Sequence, residues 1–132
     1  AVYAASYAVG LRANLWYTPL GWRNSNLLDP ATLAPTTAYT AYQFAANKLI
    51  GVDYVGAVNE YGGIMGYKFD HGDRTNWVLW ALSSANMGGP IPQKSIALPV
   101  TPTVIYDALG TPISATMSIT VSVAPLFIEW NH

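Results

Sequence analysis

Seven carboxylates and two histidines carry most of the acid–base chemistry open to this 132-residue chain. Two carboxylates facing each other across a cleft could cleave a glycosidic bond. That needs a separation of ~5–5.5 Å for retention, or ~6.5–9.5 Å with room for water for inversion. The acids are Asp29, Asp53, Glu60, Asp70, Asp73, Asp107 and Glu129. Asp70 and Asp73 share the turn Asp70-His71-Gly72-Asp73, where aspartate is favoured for bonding nearby backbone. Asp107 leaves a strand, Asp29 precedes Pro30, Asp53 follows a helix end, Glu60 stands near Gly62-Gly63 and Glu129 lies in the last strand. None has a partner at a diagnostic spacing, so the spacing predicts structural roles. His71 between Asp70 and Asp73 would hold a metal weakly, and a solvated turn accounts for the same residues. His132 is the last residue. No Ser-His-Asp arrangement, phosphate loop or dinucleotide fingerprint occurs. The reading is of no catalytic set, no metal and no cofactor.

Cysteine is absent, which removes disulfides, thiol chemistry and thiolate-bound zinc. The cations Arg12, Arg23, Lys48, Lys68, Arg74 and Lys94 are scattered, so a nucleic-acid footprint is not expected. No apolar run reaches the ~20 residues of a membrane span. The chain begins with Ala1 and lacks a signal-peptide pattern, which is compatible with a processed, excised or partly read chain. Hydrophobic residues make up 52% and charged residues 10%, with a net charge of −1. So little charge predicts a folded chain that buries surface against a partner.

The elements fall into two segments. In residues 1–51, an Ala-rich helix over about 1–13 is weakened by Gly10. Asn14–Thr18 reads as a buried strand stopped by Pro19, and Gly21–Pro35 as a loop. Thr36 or Thr37 caps a helix running to about Ile50, with Gly51 as its stop. Tyr39, Tyr42, Ala46 and Leu49 share one face, and Ala38, Ala41 and Ala45 allow close approach. From Val52 to His132 the period is two. Strands are predicted from Asp53, over Ile64–Phe69, over Thr75–Leu82 as the central one, over Ser95–Leu98, over Val104–Tyr106 and over Leu126–Trp130. Ser114–Val123 alternates throughout and gives the clearest half-buried strand. The fold class is mainly β with N-terminal helices, an antiparallel β-sandwich of roughly seven strands. Trp77 and Trp80 lie an odd number of residues apart and face opposite sides of one strand.

Several segments resemble the C-terminal end of secreted (β/α)-barrel glycoside hydrolases. They are Ala38-Tyr39-Thr40-Ala41-Tyr42-Gln43-Phe44, the Gly72-Asp73-Arg74 turn, Trp77-Val78-Leu79-Trp80, Val104-Ile105-Tyr106-Asp107-Ala108-Leu109-Gly110 and Ala124-Pro125-Leu126-Phe127-Ile128-Glu129. The resemblance implies that residues 1–51 are the last helix–strand–helix of a barrel, and that the sandwich packs on that barrel without being catalytic. Catalytic carboxylates would then lie upstream of Ala1. In that family the last barrel strand commonly ends in an aromatic floor for the sugar, and Trp16 matches that place. Trp16, Tyr17 and Trp22 are therefore candidates for a carbohydrate platform; the same residues also suit a core or an interface.

Two helices and one strand cannot close a barrel, and a lone strand needs neighbours at both edges. The missing surfaces would come from an upstream barrel domain or from copies of the chain. Three functions are expected in this order. The first is a non-catalytic, self-associating packing module of a secreted hydrolase; the second is a subunit of an extracellular filament or coat. The third is a carbohydrate-binding module using Trp16, Trp22, Trp77, Trp80 or Trp130, with polysaccharide as partner.

Overall fold

The computed structural model describes residues 1–11, 19–20, 26–82 and 91–132. Helix α1 spans Val2–Ala8 and α2 spans Thr37–Leu49. Thr36 caps α2, its hydroxyl accepting from the Tyr39 amide and satisfying one of the free donors of the first turn. Gly51, at φ 69°, follows the helix end and turns the chain into the sheet. The eight strands are β1 (Asp53–Ala57), β2 (Ile64–Asp70), β3 (Arg74–Ala81), β4 (Lys94–Ala97), β5 (Val104–Tyr106), β6 (Pro112–Ile113), β7 (Ser118–Val121) and β8 (Leu126–Asn131). Six of them form one antiparallel sheet in the order β1-β2-β3-β8-β5-β6, and β4 and β7 pair as a small second sheet.

The large sheet is buried on both faces, and the register decides which residue goes where. Val78 lies opposite Phe127 and Trp77 opposite Ile128, so adjacent pairs point to opposite sides. On one side Phe69, Val78 and Phe127 pack with Ala4 of α1, Leu49 of α2 and Val52. The Phe44 ring meets Phe127 edge-on at 5.0 Å between centroids and Tyr106 at 5.5 Å, and Tyr7 donates to the Val52 carbonyl at 3.0 Å. On the other side Leu79, Ala81, Ile105 and Ile128 pack with Ile96, Ile119 and Val121 of the small sheet. Trp77 and Trp80 therefore face opposite ways as their spacing requires: Trp77 meets Trp130 at 5.1 Å, and Trp80 meets Tyr67 at 5.7 Å.

Most predicted elements are present within a residue or two, with β3 third of the six strands. The strand Asn14–Thr18 lies outside the described residues, as do parts of the loops Gly21–Pro35 and Ser83–Gln93. Two expectations are corrected. The first helix, expected over about 1–13, ends at Ala8, where Val9 and left-handed Gly10 turn the chain out of it. Ser114–Val123 is not a continuous strand: β6 ends at Ile113, β7 begins at Ser118, and they belong to different sheets. Of its apolar set only Ile119 and Val121 are buried, whereas Met117 and Val123 are 49% and 40% exposed. The Thr116 hydroxyl donates to the Ser118 carbonyl at 2.7 Å, a local bond that competes with a ladder. Alternation of small polar and apolar residues fits a strand and a crossing equally well, and here the chain crosses between sheets.

The segment Asp107–Thr111 forms a tight turn beside α2. Asp107 Oδ1 accepts from the Leu109 and Thr111 amides at 2.9 and 2.8 Å, and Gly110 turns left-handed at φ 89°. A Cβ on Gly110 would lie 2.6 Å from the Phe44 ring. The turn thus locks α2 onto the sheet through Phe44. Gly110→Ala should cost about 2–4 kcal/mol from left-handed strain and overpacking. Urea unfolding should show this as a lower midpoint at unchanged slope.

Candidate functional site

The predicted platform residues Trp16, Tyr17 and Trp22 lie outside the described residues, so the site is built from the rest of the chain. The acids come first. Asp29 Oδ1 accepts from the Ala31 and Thr32 amides at 3.0 and 2.8 Å and from the Thr32 hydroxyl at 2.9 Å. These bonds, the Thr32 amide foremost, hold its carboxyl below the usual carboxylate range. Asp70 accepts from the Gly72 amide at 2.8 Å, Asp73 lies 3.5 Å from Arg74, and Asp107 holds its turn. Glu60 pairs with Lys68, whose hydrogen bond is the largest cause of its lowered pKa. Each of these acids bonds close by or to a cation, the geometry of structural work.

Asp70, Gly72 and Asp73 of the turn are exposed and His71 is half-buried, as expected of a solvated turn. The His71 amide donates to the Arg74 carbonyl at 2.9 Å, and its ring Nε2 is buried without a partner. His132 comes to the same corner, its amide donating to the Asp73 carbonyl at 3.0 Å and its Nε2 lying 3.0 Å from Thr75 Oγ1. No group of three His, Asp or Glu side chains with metal-binding geometry occurs among the described residues.

Glu129 is the acid whose setting the sequence did not reveal. It is 5% exposed on the helix side of β8, and its Oε1 accepts from Lys48 Nζ of α2 at 2.8 Å. Lys48 also lies 4.1 Å from the centroid of the Tyr106 ring. Beside Glu129 in register stands Asn76, fully buried, with neither amide atom hydrogen-bonded. Lys48 and Glu129 are 81 positions apart, and no periodicity links them. The only sequence signal was an acid flanked by Ile128 and Trp130 in an apolar strand, which demands a cation from elsewhere.

Two depressions flank the helices. A groove of about 290 Å³ runs between α1, α2 and the start of β8, with Ala38, Ala41, Ala45, Tyr42, Pro125 and Phe127 among its walls. The alanine positions expected to allow close approach line it. A second, of about 400 Å³, is formed by Tyr7, Gly10, Leu11, Val52, Asp53 and Tyr54 beside β1. Neither brings two acids face to face. The remaining described tryptophans make no flat exposed platform: Trp77 and Trp130 pack against each other, and Trp130 Nε1 donates to the Val100 carbonyl at 3.2 Å.

The chain matches no protein-family model, no curated protein and no solved structure.

Two predictions concern the ion pairs. Lys48→Met leaves Glu129 buried without its cation and should cost about 3 kcal/mol. The double variant Lys48→Met/Glu129→Leu should recover most of that loss, and chemical denaturation of the double-mutant cycle measures the difference. Glu60, lowered by Lys68, contributes stability above the ordinary carboxylate range. That contribution is lost as pH falls through its depressed folded value. The stability gap between wild type and Glu60→Gln should therefore be open at neutral pH and close in acid, read from melting temperatures across a pH series.

Proposed function

We propose that this chain is a non-catalytic β-sandwich module that works by packing and self-association, of the kind that ends a secreted barrel glycoside hydrolase. The supporting observation is how its charges and apolar side chains are distributed. Lys48 pairs with Glu129, Lys68 with Glu60 and Arg74 with Asp73, while Lys94 donates to the Gly62 carbonyl. Each lysine and arginine side chain among the described residues thus has an acceptor of the protein's own, although Arg74 Nε is buried without one. Charged residues are 10% of the chain, against about 25% in an ordinary soluble domain. Meanwhile Val2, Val9, Ile50, Val55 and Ile91 are each more than 60% exposed. Single exposed apolar residues are ordinary; a surface with so little charge between them favours association.

The partner is a copy of the chain or an upstream barrel domain, and the sequence resemblance implies an extracellular setting. In that reading residues 1–51 are the barrel remnant, and the bound polysaccharide belongs to the parent hydrolase. An extracellular filament or coat is the second reading. It is favoured by two separate surfaces of different character, the apolar groove beside Ala41 and the exposed outer side of β1, since contacts between unlike surfaces propagate into open polymers. Carbohydrate binding by this chain itself rests on Trp16, Tyr17 and Trp22 and stands third.

Light scattering over a concentration series, with electron microscopy of the same samples, tests the proposal. Dimers or larger regular assemblies of folded protein are expected. A folded monomer at every concentration would overturn self-association.

A further inference from the structure

Three oxidisable rings form a row on the helix side of the large sheet. Trp80 on β3, Tyr67 on β2 and Tyr54 on β1 share that face, each a diagonal neighbour of the next across adjacent strands. Trp80 and Tyr67 are 5.7 Å apart between ring centroids, and Tyr67 and Tyr54 are 6.0 Å apart. Each step moves one strand outward, and the row ends at β1, an edge of the sheet. Exposure follows the same order. Trp80 and Tyr67 are half-buried, whereas Tyr54, at 42%, is the one exposed tyrosine among the described residues. Past Tyr54 the ring contacts pass to Phe69 at 6.0 Å, and from Phe69 to Tyr7 at 6.1 Å. A phenylalanine ring has no O–H or N–H proton to release and is hard to oxidise, so the row closes at Tyr54. Beside Tyr54 lies the depression of about 400 Å³ that it forms with Tyr7, Leu11, Val52 and Asp53, with room for a small planar molecule.

We infer that Tyr54 is the protein's site of oxidative coupling to a second phenol, and that Trp80 and Tyr67 relay to it the electron vacancy left by a one-electron oxidant. This goes beyond the packing role proposed above and holds for a lone chain or an assembly. Rings this close exchange an electron by tunnelling, and the vacancy collects where it is best stabilised. A tyrosine radical forms by loss of one electron and the phenolic proton. Solvent at exposed Tyr54 takes that proton more readily than the surroundings of a half-buried ring. The coupling balances with hydrogen peroxide as oxidant. Tyr54 and the incoming phenol each lose one electron and one O–H proton. A carbon–carbon bond then forms between the positions ortho to the two hydroxyls, and the ortho C–H protons move to the oxygens to restore both aromatic rings. The two electrons and two protons released break the O–O bond of one peroxide and yield two waters.

A haem peroxidase with hydrogen peroxide and tyramine supplies oxidant and phenol, and peptide mass mapping locates the adduct on folded wild type. Tyramine should attach at Tyr54, and Tyr54→Phe should lose most of the labelling with circular dichroism unchanged. Adduct spread evenly over the tyrosines, or placed mainly on another one, overturns Tyr54 as the site. The relay has its own readout, because azide radicals from pulse radiolysis oxidise indoles selectively, and indole and tyrosine radicals absorb in separate bands. In wild type the indole signal should pass into a tyrosine signal at a rate independent of protein concentration. Trp80→Phe and Tyr67→Phe should each remove most of that conversion while tyramine still labels Tyr54. If either variant converts as fast and as fully as wild type, the relay is overturned.

Discussion

The strand on which the rest depends is β8, because it joins β3 to β5 in the large sheet and contributes to both cores at once. It lies between β3 and β5, and its successive residues Phe127, Ile128 and Glu129 are buried on alternating faces. Phe127 closes the helix-side core and Ile128 the core under the small sheet. A one-residue slip would exchange those faces, sending Glu129 toward Leu79 and Ile105 and away from Lys48. Register at this strand is therefore specified by charge as well as by shape. Since β8 comes last in the chain and inserts in the middle, β3 and β5 cannot share a sheet until it arrives, a long-range closure that makes folding slow.

The Lys48–Glu129 pair has a cost as well as a use. Taking two charges out of water rarely stabilises a protein relative to a well-packed apolar pair. Its value lies in fixing where α2 sits on the sheet, helped by the Tyr106 ring under Lys48 and by Phe44 wedged between Gly110 and Phe127. Asn76 sharpens this point. Its side chain is buried beside Glu129 with no bond of its own, at a position where an apolar residue would meet less penalty. The helix-side core is thus more polar than its neighbour, and it is this side that carries α1, α2 and both depressions.

What could be read from the sequence was what local chemistry dictates. Thr36 and Gly51 marked both ends of α2, and the Asp70–Asp73 turn marked the hairpin between β2 and β3. The odd spacing of Trp77 and Trp80 put them on opposite faces. Ser114–Val123 was misleading because a perfect period of two carries no information about which sheet a strand joins. Lys48 meeting Glu129 was invisible for a related reason: the contact is created by topology, and neither residue's neighbours announce it. The edge at β1 was half legible. Its sequence showed a strand with little charge, and only the sheet order shows that nothing described pairs with its outer side.

These features bear on how such a surface associates without collapsing into disorder. With its described cations engaged internally and a net charge of −1, the chain has little long-range field to steer or repel a second copy. Association then depends on short-range terms, and those are unevenly distributed. The β6 edge is blunted by Pro112, and the outer face of the small sheet shows Ser118 and Thr120, so neither offers a long apolar template. Ile50 and Val55, 71% and 62% exposed, stand instead beside β1, whose outer side pairs with no described residue. An apolar patch alone would bind without direction. A hydrogen-bonding ladder beside it imposes strand spacing and orientation, and the bulge at Tyr54–Gly56 limits how far that ladder runs. Weak charge thus leaves the geometry of short-range contacts to decide between a defined contact and indiscriminate aggregation.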